Sequence, residues 1–195
     1  MGDYVAYLSV GSGTFTRFPL EPGTGPHNLI VGGDYVWYSG NLTGHIGRLD
    51  PQSGDVLPYP MPNPAARDPH TLVFDHGGEI WFTVQGGNFV GRFSPVSGQI
   101  RLIPVPTADA NPYGIVIDSR NRPWVAEFGT SKLGLVDREA MEIEEIPLPR
   151  SAARPRRLVV TSDDQVWYVD NSQGYLGRLD PETRAALTVW GDVPE

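Results

Sequence analysis

The sequence predicts an all-β chain folded as a β-propeller, with about four and a half four-stranded antiparallel blades in 195 residues. Three columns of residues carry that prediction. Pro26, Pro69, Pro112 and Pro155 recur at intervals of 43, 43 and 43 residues. Trp37, Trp81, Trp124 and Trp167 follow at 44, 43 and 43, and Gly47, Gly91, Gly134 and Gly177 keep the same register. A repeat of ~40–45 residues with a fixed tryptophan is the sequence mark of a propeller blade.

The register divides the chain into a half blade (3–25) and units at 26–68, 69–111, 112–154 and 155–195. The half blade comes first: Gly13-Thr14-Phe15-Thr16-Arg17-Phe18-Pro19-Leu20 aligns with Gly54-Asp55-Val56-Leu57-Pro58-Tyr59-Pro60-Met61, which makes residues 3–20 a third and fourth strand. The second full unit shows the pattern of all four. Pro69 to Asp75 is a short apolar strand, His76-Gly77-Gly78-Glu79 a turn, and Ile80 to Val84 a second strand. Gly86-Gly87-Asn88 turns into Phe89 to Phe93, and Ser94-Pro95-Val96-Ser97-Gly98 leads to a fourth strand ending at Pro104. Short strands joined by Gly, Asn, Asp and Pro turns are meander chemistry. Prolines in the fourth strand (Pro58, Pro60, Pro104, Pro147) suit an outer edge, where a missing N–H breaks no ladder bond. The tryptophans are expected between neighbouring blades. The amino-terminal half blade has no complementary first and second strands at the other end, so the expectation is most of a larger ring. Further blades or a second chain would complete it and cover the unpaired edges.

Composition narrows the function. With 23 glycines and 19 prolines, long helices have little room. The formal charge of −8 disfavours nucleic acid, and Arg150, Arg154, Arg156 and Arg157 form the one basic cluster. The absence of cysteine excludes disulfides, zinc thiolates and thiol nucleophiles. No apolar stretch approaches the ~18 residues of a membrane span. The chain opens directly into strand-like residues after Asp3, as at a fragment boundary, which leaves the compartment open.

Chemistry is expected at the hub, where the start of each first strand lies beside the end of the second. The residue after the repeated proline is His27, His70, Tyr113 or Arg156, and the residue before it Gly25, Asp68, Asn111 or Arg154. The residue three past the tryptophan is Gly40, Val84, Glu127 or Asp170. A scaffold would repeat these positions; here they vary and are mostly polar. A funnel of His27, His70, Asp68, Glu127 and Asp170 could bind a divalent cation or move protons. The same residues also suit solvated loop ends, and Glu127 an acceptor between blades. Arg154, Arg156 and Arg157 could hold a carboxylate or phosphate, or pair with Glu127 or Asp170. His45 and His76 are expected in surface turns away from the inner ring.

The unit Pro-His-x-Leu … Ile-Trp-Phe-Thr … Gly-Arg-Leu resembles the streptogramin B lyase (virginiamycin B lyase) family of seven-bladed propellers. The likeness runs through Ile46-Gly47-Arg48-Leu49, Trp81-Phe82-Thr83, Pro112-Tyr113-Gly114-Ile115 and Leu176-Gly177-Arg178-Leu179. It implies a lyase that opens the ester ring of a cyclic depsipeptide antibiotic by elimination, with Mg²⁺ polarising the ester carbonyl and a histidine moving protons. It also implies a site of two Pro-His motifs in neighbouring blades, here His27 and His70, with Asp68 at a position that is normally Glu. Where the family has a further Glu, this sequence has Val84 and Gln85; Glu127, one blade on, is the carboxylate that could compensate. Tyr113, Arg156, Gln85 and Asp170 are the expected substrate contacts.

Three functions follow. The first is a metal-assisted carbon–oxygen lyase acting on a small-molecule ester or cyclic peptide. A second is a non-catalytic propeller that binds a small ligand or protein on the same face. The third is a gluconolactonase-like lactone hydrolase with Ca²⁺ in place of Mg²⁺, held near Asn111, Glu127 and Asp170. Proton abstraction beside an ester needs a base near neutrality, which histidine supplies, and the developing enolate needs a cation or hydrogen-bond donors.

Overall fold

The computed structural model describes residues 2–190, and every regular element in that range is a strand. β1 (Tyr4–Ser9) and β2 (Thr14–Pro19) form a two-stranded antiparallel hairpin, as the register of the half blade requires. Four antiparallel sheets follow, each a four-stranded meander in chain order. The first blade has β3 (Pro26–Gly32), β4 (Tyr35–Gly40), β5 (His45–Leu49) and β6 (Val56–Pro60). The second has β7 (Pro69–Phe74), β8 (Ile80–Val84), β9 (Phe89–Phe93) and β10 (Ile100–Pro104). The third has β11 (Pro112–Ile117), β12 (Pro123–Glu127), β13 (Lys132–Asp137) and β14 (Glu142–Pro147). The fourth has β15 (Pro155–Val160), β16 (Val166–Asp170), β17 (Leu176–Leu179) and β18 (Ala186–Trp190). The fourth-strand prolines lie on outer edges, where they interrupt no inner ladder.

The core lies between the sheets. Trp37 packs on Ile80, Phe82 and Phe93 of the second blade, Trp81 on Ile115, Val125 and Val136 of the third, and Trp124 on Val166, Tyr168 and Leu179 of the fourth. The repeated glycine on each third strand makes room for an aromatic side chain on the second. A Cβ at Gly91 would stand 2.1 Å from the Phe82 ring, and one at Gly47 or Gly177 2.0 Å from Tyr38 or Tyr168. The third blade departs from this. Val125 replaces the ring, and a Cβ at Gly134 would meet Ile143 at 2.9 Å and Glu127 Oε1 at 3.2 Å.

Two further features aim side chains at the hub. In every blade the ladder between the first two strands slips just past the proline, at Pro26/Leu29, Pro69/Leu72, Pro112/Ile115 and Pro155/Arg157. Such a bulge bends the strand and redirects the residues within it. The amide groups it frees are met by strand-two hydroxyls: Asn28 N donates to Ser39 Oγ and Thr71 N to Thr83 Oγ1. The same hydroxyls donate to the next blade, Ser39 to the His70 carbonyl at 2.9 Å and Thr83 to the Tyr113 carbonyl at 2.8 Å. At the opposite end of the strands, buried Asp118 accepts from Trp124 Nε1, Arg122 Nε and the amides of Arg120 and Arg122. Asp75 does the same for Trp81 Nε1, Gly77 and Glu79, with Arg138 as its cation.

His76 is exposed in a turn, as expected, but His45 is not. It opens β5 opposite Gly40 and is buried, because Gly40 has no side chain and the His45 ring occupies that space. Thr43 Oγ1 lies 2.9 Å from its Nδ1, and burial lowers its pKa.

Candidate functional site

The bulges bring the residues after the repeated prolines into one row across four blades. The His27 and His70 rings lie 3.8 Å apart between centroids, and His70 and Tyr113 4.0 Å apart. Arg156 Nη2 donates to the Tyr113 hydroxyl at 2.8 Å, its guanidinium lying over the ring. The expected residues His27, His70, Tyr113 and Arg156 are therefore brought together, each supplied by a different blade. His27 and Arg156, the two ends of the row, are exposed, whereas His70 and Tyr113 between them are buried.

The residues two past each proline form a second row: Asn28, Thr71, Gly114 and Arg157. A Cβ at Gly114 would stand 2.6 Å from the Arg156 carbonyl oxygen, so glycine lets β15 close onto β11. Through that approach Arg157, from the fourth blade, reaches the second, where its Nη1 donates to Thr71 Oγ1 at 3.5 Å. Thr71 Oγ1 in turn lies 3.0 Å from His70 Nδ1. Burial, then the charges of His27, Arg157 and Arg156, push the His70 pKa down to about 3. His70 is accordingly neutral at physiological pH.

The acidic residues are placed otherwise than expected. Asp68 sits beside the row but its Oδ1 accepts from Asn41 Nδ2. Its backbone is left-handed, as is that of Gly25 and Asn111 at the same repeat position. Gly, Asp and Asn are the residues that tolerate that conformation, so the variation there has a backbone cause. Gln85 is half-buried, its amide donating to the Asp68 carbonyl, and Val84 is fully buried. Glu127 and Asp170 do not line the funnel; both are buried beneath it. Glu127 turns back over its own third strand, where it fills the space above Gly134. Thr130 Oγ1 donates to Glu127 Oε2, while Oε1 has no partner. Burial and repulsion from Glu145 outweigh the Thr130 bond and Lys132, and raise the Glu127 pKa to about 7. Asp170 differs: burial pushes its pKa up, but hydrogen bonds from Ser172, Arg154 and Gln173 more than offset it and hold it below the ordinary value.

These placements do not fit a divalent cation. Asp68 is engaged by Asn41, Val84 offers no oxygen, and Glu127 and Asp170 are inaccessible. Among the described residues no three His, Asp or Glu side chains come together in a metal-binding set. Nor do the arginines pair with Glu127 or Asp170. Arg156 donates to Asn171 and Tyr113, and Arg154 lies over Phe128 and donates to its carbonyl. Sequence reasoning missed Thr71, Gly114 and Arg157 as a connected set, and the Ser39 and Thr83 latches. The signal available was the hydroxyl two past the tryptophan in two successive units.

The virginiamycin B lyase family profile matches residues 5–189. No curated protein matches significantly. Among solved structures, a streptogramin B lyase is 26% identical with a TM-score of 0.87, over 99% of this chain and 63% of that one. The virginiamycin B lyase of Staphylococcus aureus is 26% identical with a TM-score of 0.81, over 89% of this chain and 58% of that one. A catalytically inactive form of the Staphylococcus aureus lyase with quinupristin is 21% identical, with a TM-score of 0.59, over 99% of this chain and 79% of that one; it shows likeness of fold. The chain thus spans about three fifths of the first two lyases' length.

Proposed function

The chain belongs to the virginiamycin B lyase family, and on that footing we propose that its hub row binds an ester-bearing small molecule or cyclic peptide and cleaves the carbon–oxygen bond by elimination. The observation that carries this is the close His27–His70 pair, with ring centroids 3.8 Å apart, at the mouth of two neighbouring blades. Such an elimination removes a proton from the carbon next to the one bearing the ester oxygen. The electron pair becomes a C=C bond, the C–O bond breaks, and the acyl side departs as a carboxylate.

In this reading His27 takes the proton, which is supported by its exposure, whereas His70 is buried with Nδ1 engaged by Thr71. His70 supports that ring and borders the arginines. A weakly basic imidazole is a poor proton acceptor, since general-base strength follows pKa. The test is incubation with quinupristin followed by mass spectrometry and proton NMR. Ring opening by elimination leaves the mass unchanged and adds a vinyl proton, whereas hydrolysis adds one water. His27→Ala is expected to lower the rate by ~10²-fold or more, the usual contribution of a general base. His70→Ala should lower it as well, and an unchanged rate in that variant would remove His70 from the mechanism.

A second reading is a non-catalytic ligand-binding propeller, favoured by the engagement of Asp68 by Asn41 and by Val84 at the position of the family carboxylate. Quinupristin bound but recovered intact would select it.

A further inference from the structure

Arg156 and Arg157 sit at the hub of an acidic protein with no carboxylate partner among the described residues. Arg156 uses two of its five N–H groups, on Asn171 Oδ1 at 3.1 Å and the Tyr113 hydroxyl at 2.8 Å, and Arg157 one, on Thr71. Neither nearby acid pairs with them: Asp68 Oδ1 accepts from Asn41 Nδ2, and Asp170 Oδ1 accepts from the Arg154, Ser172 and Gln173 amides and Ser172 Oγ, while its Oδ2 is buried without a hydrogen-bond partner. Both guanidinium groups are exposed and keep N–H donors free, so they give an anion a local point of attraction on a protein whose net charge is −8. The path that puts Arg157 there is specific, since it requires glycine at 114, where a Cβ would stand 2.6 Å from the Arg156 carbonyl.

We propose that Arg157, drawn past Gly114 to Thr71 beside His70, forms with Arg156 a carboxylate-binding site at the hub. This rests on the hub being the ligand site. It adds which group the hub would hold: a carboxylate, such as the one that ester elimination sets free. Guanidinium groups suit that role, because their planar forks match both oxygens of a carboxylate. The positive charge that a metal ion would bring to this chemistry is then supplied by side chains.

The experiment is calorimetric titration of the protein at pH 7.5 and low salt with benzoate and with benzamide, its neutral counterpart. Benzoate is expected to bind at least tenfold more tightly. Arg157→Gln should weaken benzoate about tenfold and leave benzamide unchanged, and Arg157→Lys, which keeps the charge but not the fork, should fall between. Arg156→Gln gives a second variant should Arg157→Gln fold poorly, with loss in the same direction. Equal binding of benzoate and benzamide, or benzoate affinity indifferent to both arginine variants, overturns the carboxylate site while leaving the hub a ligand site. Binding of neither probe overturns both. Benzoate binding that survives in a protein unable to open quinupristin supports the carboxylate site and removes the lyase reading alone.

Discussion

Two buried titratable side chains give opposite pH dependences, and both can be measured. His70 accepts a proton near 6.5 when unfolded but only near 3 when folded, so acid favours the unfolded chain. Its contribution to stability is present above pH 6.5 and is lost as the pH falls from there toward 3. Glu127 works the other way, because its folded pKa is raised from 4.5 to about 7. The contribution is fully present below pH 4.5 and lost as the pH rises through 7, where a carboxylate with an unpartnered oxygen must be kept out of water. Glu127→Gln removes the charge and keeps the acceptor for Thr130. It should raise the thermal midpoint at pH 8.5 by several degrees, from a gain of about 2 kcal/mol, and have little or an adverse effect at pH 5. Equal midpoint shifts at both values would show that the carboxyl is not held neutral. Glu127 also marks a limit of what the sequence disclosed. Its place in the repeat was legible, but whether its side chain turned to the hub or back over Gly134 depended on Val125 having left that space open, and on nothing in Glu127 itself.

The repeating elements were legible because each part has a separate sequence cause: a bulge after every repeated proline, a ring over the repeated glycine in three of the four blades, and a tryptophan against the next blade in the first three. The structure ranks the glycines in a way spacing alone does not. At Gly91 a Cβ would meet the edge of a fully buried Phe82 ring at 2.1 Å, between rigid neighbours. At Gly134 the obstacles are a methyl at 2.9 Å and a carboxyl at 3.2 Å. Gly91→Ala is therefore expected to cost more than Gly134→Ala, on the order of 3 kcal/mol against 1, by the usual range for overpacking. Urea unfolding of the two variants checks the order, and a reversal would mean that the Phe82 ring moves aside more readily than Ile143. Turn and cap residues were harder to foresee. Asp118 holds a tryptophan N–H, an arginine and two amides at once, yet in the sequence it is one acidic residue before a turn. Asp118→Ala leaves the Trp124 N–H and the two amides without their acceptor and Arg122 with only its longer contact to Glu182, at 3.8 Å, and should cost about 2–3 kcal/mol, read in the same unfolding curves.

Across the whole molecule, each blade buries itself chiefly against its neighbours, so stability should vary along the row as it does in other stacked repeats. The burial of the strands shows the gradient. β8 and β12 are buried at every residue, and β7 and β11 at their first four. By contrast β2 is almost wholly exposed, β3 alternates half-buried with exposed positions, and β15 has exposed residues at Arg156, Arg157 and Val159. Large apolar side chains stand open on these outer members, among them Tyr7, Phe15, Val31, Val159 and Leu187. The hub row crosses this gradient: His70 and Tyr113 belong to the two well-buried blades, whereas His27 and Arg156 hang from the less buried ones. Native-state hydrogen exchange should then find the slowest amides in β8 and β12 and faster exchange in β3 and β15, with β1 and β2 opening first. A carboxylate seated on Arg156 and Arg157 would tie the fourth blade to the second through Thr71, so benzoate should slow exchange in β15 more than in β8. Uniform protection in all four blades would mean that they open as one cooperative unit. The side chains at the ends of the row would then be as firmly held as those at its middle.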